Sequence, residues 1–415
     1  MHILSKKKFI FQLLFLFLIF FTLYYFFLIS LDNNSRIISK IYEKSDLLDD
    51  LKFDCEDRNF TFKTSKVEEE ILNSEDKCAK VFDLFKFNRE PLSKEEEEYP
   101  LAYGILAYKD VTQLLFMLSA FYQPQNVYCI AYPKNAHDNF RQILNSLRKC
   151  WPNVYPMERP TVVWGGFEII ESVYDCLAFL ANLQNDWRYF QYLSGVDAPL
   201  KTNLEMVRIF KAMMEAPNFE ITNYQNNRLK GQNISHSPLP LWKSSLSSLI
   251  PRKTAMSLTS SEMPRRLLEF LRPTAIADES FWASLLGNPN VFNISRAIDA
   301  KEFMAQKKKI NDSTGQYYIS RYQIWNSSNC KGKMKAGSCV FGVGDLAELK
   351  SAPHLVAHKM YLDFQPAAFF CLLKDLRHRS HHPNSSFSTQ FYSELPQVEL
   401  SIGKSYSNLT HLKWL

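Results

Sequence analysis

No block of lysine and arginine interleaved with aromatic residues occurs in the 415-residue chain, so the surface that grips a nucleic-acid backbone is missing although the formal net charge is +6. The eight cysteines form no C-x-x-C pair and no Cys/His cluster at metal spacing, which makes disulfides in an oxidising compartment the better reading of an even count. No Asp-x-Asp triplet stands at a strand end, so the paired carboxylates that hold a divalent ion are lacking. The expectation is therefore no metal and no bound cofactor. Nor does a small-x-small cleavage site follow the N-terminal apolar run.

That run, Phe9 to Leu31, is broken only by Gln12, Thr22 and Ser30 and is long enough to cross a bilayer as a helix. Lys6, Lys7 and Lys8 precede it, so the positive-inside rule keeps residues 1–8 in the cytosol and everything after Leu31 on the lumenal or outer side. A cleaved signal peptide is the competing reading. Glycosylation sequons begin at Asn33, Asn59, Asn233, Asn293, Asn311, Asn326, Asn384 and Asn408, against about four expected by chance. Residues 32–100 are polar and broken, with Glu95-Glu96-Glu97-Glu98 near their end, and read as a stem. Cys55 and Cys78 argue that its second half is fastened to the domain that follows.

From residue 101 short apolar stretches alternate with amphipathic ones. Strands are expected at Leu101–Tyr108, Asn126–Tyr132, Thr161–Trp164 and Tyr189–Leu193, and helices at Val111–Tyr122, His137–Cys150 and Phe167–Leu183. This rhythm predicts an α/β fold with a mostly parallel sheet and helices on both faces, with ligands gathered at the carboxyl ends of the strands. The domain is expected to run over 101–380, leaving a tail, 381–415, without an assignable role.

Two loops carry the candidate chemistry. After the strand at Tyr189, Gly195 permits a tight turn, Asp197 falls at a strand's carboxyl end and Pro199 stops further pairing. Further on, Asp278 is placed to cap a helix starting at Glu279, whose Phe281/Leu285 and Trp282/Leu286 pairs would face the core. Glu279 is left in the first turn, where the helix dipole favours the anion, as suits a general base; a plain capped helix with a surface glutamate is the alternative.

Several motifs in order resemble the core-2/I-branching β-1,6-N-acetylglucosaminyltransferase family. Asp278-Glu279-Ser280-Phe281-Trp282-Ala283 is similar to its D-E-x-x-W-A segment, and Tyr122-Gln123-Pro124-Gln125-Asn126-Val127-Tyr128-Cys129 to its Y-x-P-Q-N-x-Y-C. The loop at Asp197 resembles C-G-x-D-F-P-I-K-T-N. Cys339-Val340-Phe341-Gly342-Val343-Gly344-Asp345-Leu346 and His354-Leu355-Val356-Ala357-His358-Lys359 resemble C-V-Y-G-x-G-D-L and H-H-L-x-A-N-K.

The resemblance implies a GT-A type glycosyltransferase fold on a Golgi membrane, using a UDP-sugar donor without a metal and a glycoprotein glycan as acceptor. Glu279 would be the base and Lys359 the diphosphate lysine, with Asp197 at the donor cleft. Glu220, Arg228 and Lys230 would meet the acceptor, and Trp325, in a pattern similar to R-F-x-x-W, would stack on its sugar. The same likeness pairs Cys55 with Cys371, Cys78 with Cys150, Cys129 with Cys176, and Cys330 with Cys339.

Two positions depart from the family. Its second diphosphate cation, an arginine, falls on Ala336, leaving Lys333 or Lys335 to serve without the planar fork. The histidine and aspartate of its nucleotide site fall on Ala131 and Pro133, and Asn135 is the nearby candidate for uridine. A xylosyltransferase-like enzyme and an inactive lumenal glycan-binding relative remain open beside the acetylglucosaminyltransferase.

Overall fold

Two continuous apolar runs build the centre of the sheet. β1 (Ala102–Leu106) and β2 (Val127–Pro133) are buried nearly throughout, as strands covered on both faces must be. They lie parallel, Ala102 opposite Val127. β3 (Val154–Arg159) extends the sheet beside β2, and β4 (Tyr189–Ser194) joins β1 on the other side, both parallel. The order is β3-β2-β1-β4-β8, in which β8 (Leu249–Pro251) closes the far edge antiparallel to β4. The computed structural model describes Tyr24 and residues 46–415.

Strand periodicity decides which helix meets which side chain. On one face the helix Glu168–Ala181 crosses β1 and β2, and a disulfide joins its Cys176 to Cys129 of β2. Gly104 in β1 is required there, because a Cβ would stand 2.5 Å from Cζ of Phe190. On the other face the rings of Tyr103 and Tyr128 stack at 5.3 Å, with Phe121, at the end of the helix Val111–Phe121, 5.4 Å from Tyr103.

The α/β fold, its mostly parallel sheet and most elements fall where the sequence places them, and one strand does not. Thr161–Trp164 is not a strand: the third strand lies at Val154–Arg159, and Pro160, which has no N–H to give a ladder, follows it. Tyr, Pro, Glu and Arg in β3 suit an edge, which is why the more apolar Thr161–Trp164 looks the better strand on composition. That segment instead projects outward, with Val163 59% and Trp164 79% exposed.

The expected anchor lies outside the described residues except for Tyr24, as does Asn33. Among the described residues no helix is long and apolar enough to cross a membrane. Asp46 caps the short helix Leu47–Asp50, accepting from the Asp49 N–H, in a unit ending at Leu51. Lys52–Leu415 forms a second unit, reaching past the expected domain limits at both ends. The helices Thr64–Asn73 and Lys77–Phe85 pack on Val111–Phe121 and on Asp138–Leu147. At the other end Tyr406, Leu409 and Leu415 join the hydrophobic core.

Cys55–Cys371, Cys78–Cys150, Cys129–Cys176 and Cys330–Cys339 are bridged, the pairing the resemblance implies. The remaining seven sequon asparagines, from Asn59 to Asn408, are all exposed.

Candidate active site

At the carboxyl end of β4 the chain turns at Gly195, where a Cβ would lie 2.8 Å from that of Ala107, and enters β5 (Asp197–Pro199). β5 pairs antiparallel with β11 (Val356–His358), setting His358 opposite Asp197. Asp197 is fully buried, and protein groups engage both of its oxygens. The Ser194 N–H donates at 2.7 Å and the Ser194 hydroxyl at 2.9 Å; His358 Nδ1 lies at 2.7 Å and Arg321 Nη2 at 3.1 Å.

Burial works to raise the Asp197 pKa, but Arg321, His358 and the Ser194 N–H hold it below the ordinary carboxylate range. Burial and Arg321 push His358 down to about 4 against the pull of Asp197. The imidazole is thus neutral and its Nδ1–H donates to the aspartate. Asp197, expected at the donor cleft, is held within the protein by Ser194, Arg321 and the strand that leads into Lys359.

Lys359 is buried, 6% exposed, and its Nζ donates to the Lys335 carbonyl at 2.6 Å. Burial, then Lys335, then Lys109 lower its pKa. Lys335 ends β9 (Lys333–Lys335), which forms a hairpin with β10 (Ser338–Val340). The turn residues Ala336 and Gly337 both have positive φ, 49° and 80°, as a two-residue hairpin turn demands. Lys333, Lys335 and Ala336 are exposed. Trp325 is 60% exposed beside this turn, its Cζ3 3.8 Å from where a Gly337 Cβ would lie.

Glu279 is built differently from expectation. The helix begins at Phe281, two residues late, after a 3-10 turn over Ala277–Glu279 that follows Ile276 in the left-handed region. Asp278 therefore caps nothing: it lies in that turn, with Oδ1 buried and without a partner. Burial, then the neighbouring Glu279, raise its pKa to about 7. Phe281, Trp282, Leu285 and Leu286 are fully buried as expected, and the Trp282 indole N–H donates to the Leu246 carbonyl at 2.9 Å.

The Glu279 carbonyl accepts from the Ser244 N–H at 2.7 Å, which ties the turn down. Its Oε2 accepts from Arg228 Nη2 at 2.7 Å and has Lys243 Nζ at 3.6 Å, while the side chain stays 21% exposed. Among the described residues no hydrogen bond engages Oε1. Arg228 is itself aimed by Gln225, which accepts from its Nε at 2.7 Å. Burial raises the Glu220 pKa, with Lys243 lowering it and Glu279 raising it, so Glu220 belongs to the same group.

The expected residues thus fall into two clusters: Glu279, Arg228 and Glu220 in one, Lys359, Lys335 and Trp325 in the other. Arg321 is paired to Asp197 and its charge also reaches Asp278. Asn135, in the turn after β2, and Lys230 are exposed, and among the described residues no side-chain hydrogen bond or ion pair joins either to a cluster. Sequence reasoning missed Lys243, Arg321 and Lys109. Arg321 heads the stretch that ends at Trp325 and could have been noticed there; a lone Lys243 carries no mark.

A mostly parallel α/β sheet with a cation-held carboxylate and a cluster of lysines defines, with the family match, an α/β glycosyltransferase. The chain belongs to the Core-2/I-Branching enzyme family, whose model matches residues 101–350. It is 28% identical over 334 residues to a human beta-1,3-galactosyl-O-glycosyl-glycoprotein beta-1,6-N-acetylglucosaminyltransferase, covering 75% of this chain and 78% of the relative. It is 29% identical over 322 residues to a human N-acetyllactosaminide beta-1,6-N-acetylglucosaminyl-transferase, covering 72% of this chain and 76% of that one.

Proposed function

We propose that the protein is an inverting transferase that moves GlcNAc from UDP-GlcNAc to a primary hydroxyl of a glycoprotein O-glycan, forming a β-1,6 branch without a metal. The observation that carries this reading is the division of labour within Glu279. Two cations face Oε2, Arg228 Nη2 at 2.7 Å and Lys243 Nζ at 3.6 Å, and orient the carboxylate, while Oε1 is left for a hydroxyl proton.

In the single displacement Oε1 takes that proton as the acceptor oxygen attacks the anomeric carbon from the face opposite UDP. The bond from C1 to the diphosphate oxygen breaks, and Lys359, with its neighbouring lysines, meets the charge that develops on UDP. Fixed cations do here what a divalent ion does elsewhere. Asp197 acts through Arg321 and His358, holding the strand that delivers Lys359, and the exposed Trp325 offers a face to the apolar side of a pyranose. Arg228 orients the base, and Glu220 lines the acceptor side.

The protein is further proposed to be a single-pass type II Golgi membrane protein, anchored by Phe9–Leu31, with residues 32–415 lumenal. Seven exposed sequon asparagines and four disulfides support that side of the membrane.

The test is transfer by the purified protein from a panel of UDP-sugars to mucin-type acceptors in EDTA. Transfer from UDP-GlcNAc is expected to persist under the chelator. Transfer from UDP-xylose alone would make it a xylosyltransferase, and none from any donor by folded protein would favour the glycan-binding reading suggested by Pro133 and Ala336.

A further inference from the structure

The strand end of β1 presents a cation that neither the motifs nor the family match singles out. Lys109 follows exposed Tyr108, three residues past β1, and its Nζ lies 4.6 Å from the centroid of the Tyr361 ring. Lys335 Nζ lies 4.6 Å from the same centroid. In the same turn, closed by the Phe364 N–H on the Tyr361 carbonyl, Phe364 carries Lys333 at 4.2 Å. Lys335 and Lys109 both depress the Lys359 ammonium.

Among the described residues Lys109, Lys335 and Lys359 have no salt-bridge partner. Of the carboxylates nearby, Asp110 caps the helix Val111–Phe121 by accepting from the Gln113 N–H at 2.9 Å and feels the adjacent Lys109, and Asp363 acts on Asp110 and Tyr361; neither forms a salt bridge with the lysines. A cation–π contact at an exposed ring is worth about 0.5–1 kcal/mol, too little to explain three like charges converging on one place. An anion between them would relieve the repulsion that, after burial, lowers the Lys359 pKa.

We infer that Lys109 is a third diphosphate-binding cation, which together with Lys335 across the Tyr361 ring replaces the family arginine absent at Ala336. This rests on the donor reading of the same site. Two lysines on separate strand ends, braced by one aromatic plane, supply two of the contacts that one arginine fork would make.

The experiment is a calorimetric or fluorescence titration of the full chain with UDP, inorganic pyrophosphate and uridine. Wild type is to be compared with Lys109→Met and Lys109→Arg. Lys109→Met is expected to weaken UDP and pyrophosphate about tenfold, the loss of one charged contact, while leaving uridine unchanged, and Lys109→Arg to restore most of the loss. Unchanged UDP and pyrophosphate affinity in Lys109→Met, an equal loss for uridine, or no rescue by arginine would each overturn the assignment. Pyrophosphate binding that depends on Lys109 in a protein blind to UDP would keep the cation site and sink the donor reading instead. A wild type that binds none of the three would sink both.

Discussion

Around Glu279 cations and a carboxylate are paired, whereas around Lys359 the neighbouring lysines have no salt-bridge partner among the described residues. Glu279 holds Arg228 and Lys243, and Glu220 lies within reach of the same lysine. At the other end Lys109 and Lys335 share the Tyr361 ring, both act on Lys359, and none of the three has a salt-bridge partner among the described residues. The contrast is what a neutral sugar hydroxyl and an anionic diphosphate would each ask of a surface. A balanced site can receive an uncharged group without rearrangement; an unbalanced one is completed by its ligand.

Breaking the balanced end should have the largest effect. Glu279→Gln keeps the shape and the hydrogen bonds to Arg228 but cannot take a proton, and turnover should fall by about 10²–10⁴. UDP affinity should stay as in wild type, since the lysines are untouched; a parallel loss of UDP binding would erase the separation of the two ends.

The seam between them comes next. Asp197→Asn removes the charge that Arg321 and His358 share, stranding a buried guanidinium, and a broken buried pair typically costs about 3–5 kcal/mol. Urea unfolding would read this as a lower midpoint with an unchanged slope.

The smallest effect sharpens the picture near Glu279. The Asp278 pKa is raised in the fold from the ordinary 3.8 to about 7, by burial first and Glu279 second. A raised folded pKa means stability fully present below the unfolded value and lost as pH climbs through the folded one. Wild type should therefore melt at a lower temperature at pH 8 than at pH 6, and Asp278→Asn, with nothing to ionise, should show a smaller drop.

What could be read in the chain itself followed the strength of local signals. β1, β2 and β4 are continuous apolar runs between turn residues, and the sheet they build was legible; so were the core-facing Phe281, Trp282, Leu285 and Leu286, two helical turns of one face. β3 was missed because an edge strand needs little apolar content, and Thr161–Trp164 outscored it while lying in the open. At the site, Glu279 and Lys359 stood out by motif, but their partners did not. Lys243, Arg321 and Lys109 arrive from distant segments, and only the fold brings them to the carboxylates and rings they serve. Asp278 was assigned a cap because aspartate before a helix commonly is one; the left-handed Ile276 turns the chain so that the carboxylate points inward instead.

The Cys330–Cys339 bridge closes the base of the β9–β10 hairpin, the stretch from which Lys333 and Lys335 hang. Half of the lysine cluster is thus mounted on a short ribbon held shut by sulfur. A chain made in a reducing compartment would leave that ribbon free to fray and its two cations unaimed, so the grip on an anionic donor is tied to where in the cell the protein matures.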